Sequence, residues 1–225
     1  MSLKVGIVGA AGYAGAELIR LVLGHPEFEL VAITSNADAG QPLSAVYPSF
    51  TGVSDLVFTT HDAPELKNCD AVFLAVPHTA AMAQVPALLA AGVSCIDLSA
   101  DYRLSDPATF EAWYAAEHTS PELLKTRAFG LPELFSQDLE TAASDHADGK
   151  PVLVACAGCY PTATSLAAAP AVRAGWVAQS GPVIVDAISG VTGAGKSCNA
   201  RTHFCSADEN LEAYGVGKHR HTPEI

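Results

Sequence analysis

The first 23 residues constrain the fold more than any other part of the chain. Residues 3–8 (LKVGIV) form a short apolar run that reads as a buried strand. The run passes directly into Gly9-Ala-Ala-Gly12-Tyr-Ala-Gly15, and residues 13–23 (YAGAELIRLVL) continue with Leu18, Leu21 and Val22 on one helical face. A glycine turn between a strand and a helix lets the backbone bend tightly and come close to a pyrophosphate, which the helix N-terminus then receives. A plain tight turn is the competing reading. The strand–turn–helix setting favours the nucleotide.

The pattern repeats downstream. Residues 28–34, 56–59, 71–76 and 93–98 read as strands, and 79–91 as an Ala-rich helix. Strands alternating with helices predict an α/β chain built on a Rossmann-type parallel sheet. Residues 140–150 (ETAASDHADGK) are polar and read as a surface connection. This divides the chain into a dinucleotide-binding domain, 1–150, and a catalytic or substrate domain, 151–225. In the latter, 152–155 and 183–188 read as strands and about 160–174 as a helix. Seventy-five residues make a thin separate core. The expectation is therefore an incomplete second domain, the start of an α+β substrate and dimerisation unit.

Composition narrows the partners. Twelve basic residues stand against 24 acidic ones, a net charge of −12, which argues against nucleic acid and anionic membranes. No apolar run reaches the roughly 20 residues of a membrane span, and no secretory leader is evident, so a cytoplasmic location is expected. The charge is uneven, since residues 190–221 carry +1 and the remainder −13. A near-neutral, His-rich stretch in an acidic chain is where an anionic ligand would be tolerated; ordinary charge scatter is the bland alternative.

The end of the second strand bears on the cofactor. NAD-binding folds usually place an acid there for the ribose 2′-hydroxyl. Here the strand ends Thr34-Ser35-Asn36, which favours NADP, with Asp38 folding back to the ribose of NAD as the alternative. In Gly158-Cys159-Tyr160-Pro161-Thr162, Pro161 fits a first helical turn and Cys159 opens the helix. The positive end of the helix dipole favours a thiolate at that place, as a nucleophile requires. Cys69 and Cys95 read as core thiols. Cys156 completes a C-x-x-C, a weak redox signal, or half of a metal site with Cys198, His203 and Cys205; the spacing is poor for zinc, and no metal is expected. Residues 190–197 (GVTGAGKS) satisfy a Walker pattern, yet no later strand ending in a magnesium-binding Asp follows. At the chain end, Pro223 disfavours helix at Thr222, so Lys218-His219-Arg220-His221 reads as extended, with the histidines on one side and the arginine on the other.

Seven segments in order, GAAGYAGAEL (9–18), VFLAVPH (72–78), DLSADYRL (97–104), FGLPE (129–133), GCYPT (158–162), SGVTGAGK (189–196) and GKHRHTPEI (217–225), resemble the N-acetyl-γ-glutamyl-phosphate reductases of the aspartate-semialdehyde dehydrogenase superfamily. Cys156-Ala157 replace the Asn-Pro usual in that family, and family members continue beyond the His-Arg-His segment. The resemblance implies an arginine-biosynthesis reductase, in which Cys159 attacks an acyl phosphate, a thioester forms and NADPH reduces it. His219 or His221 would be the acid–base, with a slight preference for His219. Gly9, Gly12, Tyr13, Ala14, Gly15, Ser35, Asn36, Pro77, Ser189, Gly190 and Gly193 are the expected cofactor contacts. Arg103, Lys196, Arg201 and Arg220 are the expected substrate clamps, and the complete enzyme would be a homo-oligomer. The alternatives are an aspartate-semialdehyde dehydrogenase-like reductase, a P-loop hydrolase, and a nucleotide-binding fragment without turnover.

Overall fold

The computed structural model describes residues 2–178 and 180–225. Six parallel strands form one sheet: β1 (Leu3–Val8), β2 (Phe28–Thr34), β3 (Ala71–Leu74), β4 (Ser94–Asp97), β5 (Ala128–Gly130) and β6 (Leu153–Cys156), in the order β2-β1-β3-β4-β6-β5. This is the expected Rossmann-type α/β sheet. Helices α1 (Tyr13–Leu23), α2 (Leu43–Val46), α3 (Val85–Ala90), α4 (Pro107–Tyr114), α5 (Pro132–Ala147), α6 (Cys159–Arg173) and α7 (Phe204–Ala207) complete the regular structure.

Period-two alternation along β1 sends side chains to two cores. Val5 and Ile7 pack with Ile19, Val22, Ile33 and Phe58, while Val8 packs with Val72, Leu74, Val85, Cys95, Tyr102 and Phe110. The strand order reverses between β1 and β3, so the loops at their carboxyl ends flank a crevice, where open parallel sheets bind ligands. The two loops touch there: a Cβ on Gly9 would lie 2.3 Å from the Ala75 carbonyl oxygen, and Gly9 has φ +79°. Only glycine fits that turn.

Several elements differ from the sequence reading. Residues 56–59 make isolated bridges, Thr59 to Thr34 and Val57 to Pro42, in place of a strand. The helix expected over 79–91 breaks into a 3₁₀ turn (Ala81–Ala83) and α3. Most of the expected connection 140–150 is helical, because α5 runs to Ala147 before Gly149 turns the chain at φ +79°. The sheet also continues past residue 150. β6 lies between β4 and β5, so we propose that the domain division falls after Cys156 rather than at 150/151. Residues 183–188 form no strand, and Val183, Ile184 and Ile188 are 72%, 87% and 75% exposed. Apolar β-branched composition alone does not make a strand; among the described residues this run pairs with neither edge of the sheet. The chain end is turned rather than extended: the Thr222 and Glu224 amides donate to the carbonyls of His219 and His221, respectively.

Candidate active site

The first part of the site is the crevice at the switch point. α1 begins at Gly12 with no side-chain cap, so the amides of its first turn remain available to an anion. Gly15 lets the helix approach the turn closely, since a Cβ there would lie 2.4 Å from the Gly9 carbonyl oxygen. These features fit a dinucleotide pyrophosphate. Tyr13 is 47% exposed at the helix start, beside Ala14. Ser35 closes β2 and donates to the Asp38 carboxylate at 2.6 Å, so the nearby acid does fold back to the strand end. Asn36 Oδ1 accepts from the His61 amide at 2.9 Å. Asn36, Thr60, His61, Lys67 and Gln84 line an adjoining cavity of about 570 Å³. Pro77 is exposed on the loop after β3.

Lys196 stands here rather than with the substrate clamps. Its Nζ donates to the Ala11 carbonyl at 3.4 Å and lies 5.0 Å from the centre of the Tyr47 ring. Ser189, Gly190 and Gly193 belong to the exposed loop before it. That loop folds as a 3₁₀ turn, Val191–Ala194, with Ser189 Oγ donating to the Gly190 carbonyl at 3.0 Å. Neither a strand before this loop nor a helix directly after it is present among the described residues, so the Walker-like spelling lacks the strand–loop–helix frame of a P-loop.

The second part gathers around Cys159. Gly158 is the N-cap of α6 at φ −66°, and Cys159 is the first helical residue, exposed to solvent. Cys69, Cys95 and Cys156 are different: burial pushes their thiols up to about 11, 12 and 11. Tyr160 follows, and its hydroxyl accepts from the Tyr214 hydroxyl at 2.8 Å. The His219 ring lies edge-on to both tyrosines, with centroids 5.2 and 5.4 Å away. Burial, next the hydrogen bond to Tyr160, and then the charges of Tyr160 and Cys159 push the Tyr214 hydroxyl up to about 12.

His219 and His221 do come together, with ring centroids 4.9 Å apart, although the backbone that carries them is turned. The His221 amide donates to His219 Nδ1 at 3.1 Å, which assigns the remaining ring proton of neutral His219 to Nε2. Nε2 of His221 lies 3.4 Å from Nη1 of Arg103, a group that can only donate. The proton of neutral His221 is therefore on Nδ1, which is buried without a partner. Burial, then the charge of Arg103, holds His221 down at about 4, while burial and Arg220 lower His219.

The Arg103 guanidinium is engaged within this cluster. It donates from Nε to the Cys156 carbonyl at 2.8 Å and from Nη2 to the Leu98 carbonyl at 2.7 Å, and it pairs with Glu224 at 3.5 Å. Glu224 also accepts from the Gly158 amide at 2.8 Å, so one carboxylate ties the N-cap of α6 to the histidine segment. Arg201 pairs with Glu212 at 3.1 Å in the open and sits 5.9 Å from the Tyr214 ring centre. Arg220 lies 5.8 Å from the Tyr114 ring centre.

The sequence reading missed Glu224, Tyr214, Tyr114 and His78. The HTPEI and VPH segments carried two of them, but nothing in their local spelling marks a role.

Known proteins are similar to this chain in sequence and in fold. The semialdehyde dehydrogenase NAD-binding domain family matches residues 4–142, and the semialdehyde dehydrogenase dimerisation domain family matches residues 159–225. Among curated proteins, an N-acetyl-gamma-glutamyl-phosphate reductase of Herminiimonas arsenicoxydans is 48% identical over 222 residues, covering 99% of this chain and 61% of that protein. The Symbiobacterium thermophilum protein of the same name is 46% identical over 226 residues, 100% of this chain and 62% of that protein. The chain thus spans about three-fifths of the length of these relatives. In fold it is similar to aspartate semialdehyde dehydrogenase with NADP from Candida albicans, at TM-score 0.58 and 18% identity over 79% of this chain and 48% of that one. It is also similar to aspartate semialdehyde dehydrogenase II from Vibrio cholerae, at TM-score 0.56 and 14% identity over 77% of this chain and 47% of that one. With a sheet of this order, a glycine turn at its switch point and a family match over residues 4–142, the chain belongs to the semialdehyde dehydrogenase family.

Proposed function

We propose that this chain carries the nucleotide-binding half and the nucleophile of an NADPH-dependent reductase that converts N-acetyl-γ-glutamyl phosphate to the 5-semialdehyde and phosphate, an arginine-biosynthesis step. The observation that carries the reading is an exposed Cys159 at the start of α6, followed by Tyr160, whose ring packs with those of Tyr214, His219 and His221, together with an uncapped glycine turn at the start of α1. The similarity to N-acetyl-gamma-glutamyl-phosphate reductases supports the substrate class.

In the mechanism, the Cys159 sulfur attacks the acyl carbon, the C–O bond to phosphate breaks, and a thioester forms. The dinucleotide, when bound, supplies a hydride. Gly9, Gly12, Tyr13, Ala14 and Gly15 would hold its pyrophosphate against the first turn of α1, and Lys196 would add a cation at the same turn. His219 presents Nε2–H to the carbonyl oxygen and steadies the charge that develops there. To carry a full proton it must release the hydrogen bond from the His221 amide. His221, neutral and wedged between Arg103 and Gly158, positions His219. The thiolate of Cys159 then leaves as the aldehyde forms.

Ser35 and Asn36 are assigned to the NADP 2′-phosphate, and NADPH is expected to bind at least tenfold tighter than NADH, about 1.4 kcal/mol. Asp38 beside Ser35 is the feature that favours NAD instead; an NADH preference in calorimetry would reverse the assignment. The match to a dimerisation domain supports self-association, which light scattering tests. A cytoplasmic location goes with a biosynthetic role; among the described residues, no helix is long and apolar enough to cross a membrane.

The deciding assay is phosphate-dependent reduction of NADP with N-acetylglutamate semialdehyde or aspartate semialdehyde. Preference for the first, lost in Cys159→Ala, is expected. Preference for the second would favour an aspartate-semialdehyde dehydrogenase-like activity. Dinucleotide binding with no turnover of either would leave a nucleotide-binding unit.

A further inference from the structure

The loop after β3 is fixed by the segment after β4. The Ala100 amide donates to Nδ1 of His78 at 3.1 Å. The carboxylate of Asp101 accepts from the amides of Thr79 at 2.6 Å and Met82 at 3.1 Å. Thr79 is thereby held at φ +72°, a conformation a β-branched residue rarely adopts. Strain kept in place by buried hydrogen bonds points to a function for the loop. Its effect here is to orient one imidazole.

With Nδ1 accepting, the proton of neutral His78 must lie on Nε2. Among the described residues that nitrogen has no hydrogen-bond partner, and it is not one of their enclosed polar atoms. His78 packs edge-on against Tyr114, with centroids 5.4 Å apart. Arg220 lies over the same ring and has no hydrogen bond or ion pair from its guanidinium among the described residues. Tyr114 fixes it from below, donating its hydroxyl hydrogen to the Arg220 carbonyl at 3.2 Å. Burial first, then the charges of Arg220 and Arg103, hold His78 at about 4, so the ring stays a neutral donor at physiological pH. The two nearby carboxylates are already engaged, Asp101 by two amides and Glu224 by Arg103 and Gly158.

We propose that the His78 Nε2–H and the Arg220 guanidinium, both seated on Tyr114, form a binding pair for an oxyanion of the substrate, a phosphoryl group or a carboxylate. The identity of that substrate rests on the function proposed above, but the pair itself can be tested without turnover. Inorganic phosphate and N-acetylglutamate are titrated separately into the dinucleotide-loaded chain, with calorimetry and imidazole ¹⁵N spectra as readouts. The His78 spectrum is expected to show the Nε2–H form, and its Nε2–H signal to move with one of the two anions. Movement with phosphate alone assigns the phosphoryl group, and movement with N-acetylglutamate alone assigns the carboxylate. His78→Leu and Arg220→Gln are each expected to weaken that anion at least tenfold. His78→Gln, which can still accept from Ala100 and donate outward, should restore part of the loss, as a merely structural ring would not. Should His78→Leu fail to fold, Arg220→Gln and the wild-type spectrum still decide. An Nδ1–H tautomer, or anion binding unaltered in Arg220→Gln, would overturn the proposal. Anion binding by the pair without reductase turnover would sustain it while removing the substrate reading.

Discussion

Gly158→Ala isolates how tightly the nucleophile's cap is packed. The backbone at Gly158, φ −66° and ψ 162°, is one that alanine adopts without strain. The added Cβ would nevertheless lie 2.8 Å from Arg103 Nη1, 2.8 Å from His221 Nε2 and 2.9 Å from His221 Cε1. Ends of side chains can often retreat. Arg103 cannot do so freely, because two carbonyls and Glu224 hold its guanidinium. Overpacking of this kind costs about 1–3 kcal/mol. Replacing an N-cap glycine by alanine adds about 1 kcal/mol. Gly12→Ala supplies the control, since Gly12 caps α1 at φ −78° and its added Cβ would meet the Gly9 carbonyl oxygen at an ordinary 3.5 Å. Urea denaturation should therefore show Gly12→Ala destabilised by about 1 kcal/mol and Gly158→Ala by about 2–4 kcal/mol. The His221 imidazole signals should also shift in Gly158→Ala. Equal losses in the two variants, with His221 unmoved, would refute a rigid Gly158–Arg103–His221 contact.

Three further outcomes follow from the site. His221 is held at about 4 against an ordinary 6.5, so the unfolded chain takes up its proton first. The stability it contributes is full above about pH 6.5 and is lost as pH falls towards 4. Because Asp97, raised by burial to about 7, acts in the opposite sense, the test is the difference in melting temperature between wild type and His221→Gln across that window. A pH-independent difference would contradict a neutral His221. In turnover, His219→Asn should lower kcat by about 10²–10⁴-fold with KM little changed, the usual worth of a positioned acid–base group, whereas His221→Asn, which keeps the backbone amide on His219 Nδ1, should lower kcat less; the reverse order would exchange their roles. Iodoacetamide near neutral pH, followed by peptide mapping, should label exposed Cys159 well before buried Cys69 and Cys95 and half-buried Cys156. Equal labelling of Cys156 would contradict its raised thiol.

Local chemistry was legible in the sequence wherever it dictates local structure. Gly9 and Gly12 between β1 and α1, Gly15 in the first turn of α1, and the Gly-Cys-Tyr-Pro opening of α6 fold where their spelling puts them, because the turn and the helix start are decided within a few residues. Residues 183–188 have strand composition, but a strand is made by its neighbour, and none is paired with it here. Lys196 sits in a stretch spelled like a phosphate loop yet meets Ala11 across 185 residues, a contact no local pattern encodes. The lacing of His78 to Ala100 and of Thr79 to Asp101 is equally non-local, which is why the orienting role of DLSAD was invisible until β3 and β4 were side by side.

The central claim is that Cys159 takes the acyl group. Incubating the chain with N-acetyl-γ-glutamyl phosphate in the absence of dinucleotide, quenching in acid and mapping peptides by mass spectrometry tests it most directly. One N-acetylglutamyl group is expected on the peptide carrying Cys159, removable by hydroxylamine, with phosphate released in equal amount and no adduct in Cys159→Ala. An adduct on Cys156, or one that persists in Cys159→Ala, would contradict it.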